Sequence, residues 1–177
     1  MKILSIDPGT AFCGIAVVDE GVPTTLMTLF FVQEERVGLP HTLRCFRRLA
    51  GLVSAHMPDV LLCEDYVYQG RRTAANAPAM LRLIGAIECL GSVPPHPSVY
   101  LVHPSAWRRQ LVGDVHGTSV DAAVAWVLGK RFPDEPRCQR VSANDGHYFD
   151  ALGIALTWWD AYALRRHAIE NTAAKRV

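Results

Sequence analysis

Short apolar runs and stretches of helical spacing follow one another along the chain in a readable order. Residues 2–6 form an apolar run of strand length, and 12–19 (FCGIAVVD) follows after a Pro-Gly-Thr turn. A second turn cluster, DEGVP, leads into 24–32 (TTLMTLFFV), rich in Thr, Phe and Val. Three such runs joined by short turns predict an antiparallel meander. Leu43, Phe46, Ala50, Val53 and Met57 then recur at helical spacing, with Arg44, Arg47 and Arg48 on another face. Residues 59–65 (DVLLCED) read as a buried strand ending in carboxylates. A helix is expected from Asn76, a candidate cap, with Pro78 in its first turn, to about Leu90. Residues 98–103 predict a fifth strand, and the capping-box form TSVD at 118–121 opens a helix to about Lys130. Residues 132–146, rich in Pro, Arg and Asn, predict a loop. Asp145 would cap a long last helix starting near Gly146, with Leu152, Ala155, Leu156, Trp159 and Ala163 on one stripe.

The order is βββ-α-β-α-β-α-α. A meander followed by strand–helix alternation predicts an α/β fold, a mixed sheet with helices on its faces. No linker or repeat interrupts the pattern, so 1–177 is expected to be a single domain.

Composition adds limits. Eighteen basic against 17 acidic residues give a net charge of +1, so charge alone names no polyanionic partner, although a local basic stripe would matter more than the sum. Five cysteines, an odd number without a C-x-x-C pair, argue against a disulfide framework or structural zinc and favour a cytoplasmic location. The N-terminus has no signal-peptide pattern. The longest clear apolar run, ALGIALTWW, is ended by Asp160 and is too short to span a bilayer, so no membrane is expected.

Three carboxylates occupy places that need a reason. Asp7 ends the first strand, Glu64 ends the fourth, and Asp150 precedes the apolar run of the last helix. Read singly, each has an ordinary explanation: a turn former before Pro-Gly, a strand-end surface residue, a partner for an arginine. If the first and fourth strands lie side by side and the last helix covers their ends, the three converge. Clustered carboxylates repel unless cations lie between them, and hard oxygen donors suit Mg²⁺ or Mn²⁺. Two such ions about 4 Å apart clamp the attacking and leaving oxygens of a phosphoryl displacement. Strand alternation sends Glu64 and Asp65 to opposite faces, so at most one of them meets Asp7. His147 stands three residues before Asp150 on the same helix face and could position or deprotonate a water, ligate a metal, or be merely structural.

These residues carry a resemblance. ILSIDPGTAFCGIAVVD, PDVLLCEDYVYQGRRTAANA and HYFDALGIALTWW resemble, in order and spacing, the acidic motifs of RuvC-type Holliday-junction resolvases, over residues 2 to about 160. The resemblance implies an RNase H-like fold with a five-stranded mixed sheet. It also implies a Mg²⁺-dependent homodimeric endonuclease, two ions per site with Mn²⁺ as a substitute, that nicks two opposing strands of a four-way DNA junction. By the same resemblance Asp7 would bridge the metals, with Glu64 and Asp150 completing their shell. His147 would hold a metal or orient the attacking water. Where relatives carry an inserting aromatic this chain has Val67, so Tyr66 and Tyr68 are the stacking candidates. Arg71, Arg72, Arg108 and Arg109, with His116, stand where phosphate contacts are expected, the arginine pairs on loops near the acidic edge. Met80, Leu81, Ile84 and Ile87 could form a dimer seam or belong to the core. A branch-migration helicase is a candidate partner. The competing readings are an RNase H-like nuclease for another branched DNA or RNA substrate, and a DPGT-loop phosphotransferase, which would need two domains of this fold.

Overall fold

The computed structural model describes residues 1–31, 38–67, 77–114, 120–138 and 146–174. Five strands lie among the described residues: β1 (Lys2–Asp7), β2 (Phe12–Asp19), β3 (Val22–Phe30), β4 (Val60–Glu64) and β5 (Ser98–Val102). They make one mixed sheet in the order β3-β2-β1-β4-β5. The meander β1-β2-β3 is antiparallel, whereas β4 and β5 run parallel to β1, as the alternation with helices requires. Five α-helices lie among the described residues: α1 (Gly38–His56), α2 (Ala77–Glu88), α3 (Pro104–Val112), α4 (Val120–Arg131) and α5 (Gly146–Ala174).

The period of two along each central strand divides the core into two layers. Leu4 and Ile6 of β1, Ile15 and Val17 of β2, and Leu61 and Cys63 of β4 pack with Cys45, Leu49 and Val53 of α1 and Leu83, Ile84 and Ile87 of α2. Ile3, Ala16, Val18, Val60 and Leu62 point the other way, onto α3, α4 and α5. There Trp107, Val124, Leu128 and the run Ala151–Leu156 of α5 close the second layer. This is the mixed sheet with helices on both faces that the element order predicts, and it agrees with the RNase H-like fold that the resemblance implies.

Two expectations are corrected. The third strand spans Val22–Phe30 rather than 24–32. Pro23 is admitted because β3 is an edge strand and the register shifts beside it, between Val17 and Val18. The stretch after β5 is not a loop carrying Arg108 and Arg109 but helix α3. His103 caps it by accepting a hydrogen bond from the Ser105 backbone N–H, and Pro104 takes a first-turn position where its missing N–H costs nothing. Within the expected loop 132–146, Pro136–Cys138 forms a short 3-10 turn. Asn76, His116 and Asp145 lie outside the described residues, as do Tyr68, Arg71 and Arg72.

Candidate active site

Strand parity fixes two of the three carboxylates. Asp7 follows Ile3 and Ser5 on the α5 side of β1, and Glu64 follows Val60 and Leu62 on the same side of β4. The parallel register pairs Ile6 with Cys63, so the next step sets Asp7 beside Glu64. The third carboxylate arrives on α5. Ser5 Oγ donates to the carbonyl oxygen of Ala151 at 2.5 Å, tying the helix to β1 next to Asp150. Gly14, the register partner of Asp7, lets α5 approach: a Cβ there would lie 1.9 Å from the carbonyl oxygen of His147. One oxygen each of Asp7, Glu64 and Asp150 then lie within 4.8 Å of one another. Asp65 is not part of this group, as the alternation of β4 requires.

Each carboxylate has its own donor. His147 Nδ1 lies 2.6 Å from Asp7 Oδ2, and its ring stacks on Phe12 with centroids 5.7 Å apart. Trp107, wholly buried, donates its Nε1–H to Glu64 Oε1 at 3.0 Å. Arg108 donates from Nη2 to Asp150 Oδ2 at 2.8 Å and stands 3.7 Å from Glu64 Oε1. These contacts set the electrostatics. Burial, then the neighbouring Asp7 charge, pushes Glu64 up to about 8, with Trp107 and Arg108 opposing. Burial likewise raises Asp150 to about 6, against the pull of Arg108. The hydrogen bond to Asp7 raises His147 above its ordinary value.

Sequence reasoning missed Trp107 and set Arg108 on a loop; both reach the site from α3. Arg109, on the same helix, is exposed and faces Asp114 at 3.9 Å, outside the carboxylate group. Tyr66 and Val67 continue from β4 and, with Pro8, Glu64, Met80 and Arg108, line a cleft of about 190 Å³ that opens beside Glu64. Ile84 and Ile87 are buried against the sheet, whereas Leu81 is 60% exposed, so only the outer side of α2 is left for a seam.

Three carboxylates crowded into a partly buried edge, two of them shifted upward, form an all-oxygen group that could hold a hard divalent cation. Mg²⁺ or Mn²⁺ fits their all-oxygen character.

No protein-family model matches the chain. It is 31% identical over 163 residues to the crossover junction endodeoxyribonuclease RuvC of Brevibacillus brevis, covering 89% of this chain and 90% of that protein. It is 40% identical over 76 residues to the protein of the same name from Halorhodospira halophila, covering 41% of this chain and 46% of that one. Among solved structures, Thermus thermophilus RuvC matches with a TM-score of 0.68 at 22% identity, over 92% of this chain and 96% of that chain. T. thermophilus RuvC in complex with Holliday junction substrate gives 0.63 at 23%, over 89% and 92%. The yeast mitochondrial Holliday junction resolvase Ydc2 gives 0.66 at 15%, over 99% and 84%. At these identities the structural likeness establishes the fold.

Proposed function

The chain belongs to the RuvC family of crossover junction endodeoxyribonucleases, and from that premise we propose that it resolves four-way DNA junctions. The reaction is hydrolysis of one phosphodiester in each of two opposing strands. The observation that carries this reading is the convergence of Asp7, Glu64 and Asp150 within 4.8 Å. Those three residues would hold Mg²⁺, with Mn²⁺ as a substitute and room in the ligand set for two ions. When bound, such ions polarise the scissile phosphate and lower the pKa of an attacking water.

The chain's own groups do the rest. Asp7, beside Glu64 in the sheet and anchored by His147, would hold the ions together with Glu64 and with Asp150 of α5. His147 commits Nδ1 to Asp7, which leaves Nε2 as the ring nitrogen that orients the water or takes its proton. Trp107 and the packing of Gly14 hold Glu64 and the start of α5 in place. Arg108, at the cleft wall, is placed to meet a phosphate oxygen, and Tyr66 offers a ring for base stacking. Arg71, Arg72, Arg109 and Tyr68 remain candidates for backbone and base contacts.

Symmetric cutting requires two sites in fixed relation, so the working unit is a homodimer, with exposed Leu81 on α2 a candidate seam residue. A branch-migration helicase is the class of partner that would present junctions to it. Five free cysteines suit action in the cytoplasm, and no helix of the described residues is long and apolar enough to cross a membrane.

The test is cleavage of a synthetic four-way junction beside duplex, flap and RNA–DNA hybrid substrates, with Mg²⁺ or Mn²⁺. Paired symmetric nicks in the junction are expected, and Asp7→Asn should bind the junction without cutting it. Junction binding with no cutting by the native protein in either metal would sink the catalytic reading. Faster cutting of a flap or hybrid would move the activity to another substrate.

A further inference from the structure

Arg108 stands in a place that the metal site does not leave free. Its Nη2 lies 2.8 Å from Asp150 and 3.7 Å from Glu64, so one guanidinium spans two of the three clustered carboxylates. It is held from one corner: Nε is buried with no hydrogen-bond partner among the described residues, short of the two-point fork that arginine makes with a carboxylate at its best. The side chain is about a third exposed and lies on the wall of the 190 Å³ cleft, together with Glu64. It therefore has somewhere to go.

We infer that Arg108 is an internal counter-cation, one that holds Glu64 and Asp150 together in the metal-free protein and that a divalent metal must displace. The inference rests on the metal-site reading above and deepens it. One positive charge on two ligand carboxylates lowers the affinity for any other cation at the same oxygens, because like charges a few ångströms apart in a half-buried site repel strongly. The device keeps the acidic edge folded before metal arrives. It also frees a guanidinium, at the cleft, when metal and DNA arrive together. Arg108 is thus a positioning residue for the ligands as well as a candidate phosphate contact.

The experiment measures Mn²⁺ binding to the full-length, DNA-free protein by electron paramagnetic resonance, above the pH range in which Glu64 and Asp150 take up protons. Arg108→Gln and Arg108→Met are compared with the native protein and with Arg109→Gln. Methionine retains an unbranched apolar stem, so a folding defect in the glutamine variant leaves the question answerable. Both Arg108 variants should bind Mn²⁺ about tenfold more tightly, and Arg109→Gln should match the native protein. Metal-free, the Arg108 variants should melt below the native protein, and saturating Mn²⁺ should close the gap. Equal or weaker binding by the Arg108 variants overturns the inference and leaves the metal site standing. No binding by any of the proteins overturns both.

Discussion

Replacing Glu64 by glutamine should stabilise the metal-free protein at about pH 8 and leave it nearly unchanged at about pH 4. The reason is the direction of the Glu64 shift. Its carboxyl moves from an ordinary 4.5 up to about 8, because burial and the Asp7 charge penalise the ionised form. Between those two values the folded protein holds a proton that the unfolded chain has released. Stability therefore falls as pH rises through this window, the opposite of the behaviour of a salt-bridged carboxylate. Each pH unit between folded and unfolded titration is worth about 1.36 kcal/mol, which sets an upper limit of roughly 5 kcal/mol. Glu64 titrates together with its carboxylate neighbours, and the site relaxes as charge appears, so about 1–3 kcal/mol is expected. Glutamine has the same shape, carries no charge and still accepts from Trp107 through its amide oxygen. For a chain of this size the gain is roughly 2–12 °C in Tm at the higher pH. Calorimetry in the presence of a chelator, at both pH values, checks it. Adding Mg²⁺ should then raise the Tm of the native protein and not that of the variant. A variant that melts at or below the native temperature at the higher pH would refute the electrostatic account of the site.

Other outcomes follow from single contacts. Trp107→Phe removes the indole donor to Glu64 while retaining most of the ring, so it should cost about 1–2 kcal/mol and slow junction cleavage without loss of junction binding. Denaturant titration and a gel-shift assay measure the two effects. Gly14→Ala would set a Cβ 1.9 Å from the His147 carbonyl oxygen, against backbone that cannot step aside. It should destabilise by more than about 2 kcal/mol and abolish cutting; an alanine variant with native Tm and native activity would contradict the close packing of α5 on β2.

Much of the fold was legible because the central strands carry strict signals. Asp7 and Glu64 each close an apolar run, and alternation with Ser5 and Leu62 puts both on one side of the sheet once β1 and β4 are neighbours. His147 and Asp150 were readable as a pair from their three-residue spacing alone. Helix α3 was not legible. PSAWRRQLV has no continuous apolar stripe, only Trp107 and Leu111 four residues apart, and its start depends on a His103 cap and a first-turn proline. Those signals are weaker than hydrophobic period, and a proline more often reads as a stop. Missing α3 meant missing Trp107 and misplacing Arg108, whose value lies in tertiary contacts that spacing along the chain does not encode. Gly14 escaped for a similar reason: its importance is the helix above it.

The three donors also explain why the carboxylates are not equivalent. Asp7 faces a histidine, Asp150 faces a guanidinium at 2.8 Å, and Glu64 faces the neutral indole of Trp107 with Arg108 farther away at 3.7 Å. A charged donor at contact distance opposes desolvation better than a neutral one. Asp150 accordingly rises to about 6 while Glu64 rises to about 8. Near neutral pH, Glu64 then holds a proton when no metal is bound, and a metal taken up there would have to release it. Metal affinity should climb with pH across the range between those two values. Burial and the Asp7 charge set its upper end, and Trp107 opposes them from the helix whose next residue, Arg108, supplies the competing cation. One nine-residue helix absent from the hydrophobic pattern thus acts on both the proton and the charge that a bound metal would replace.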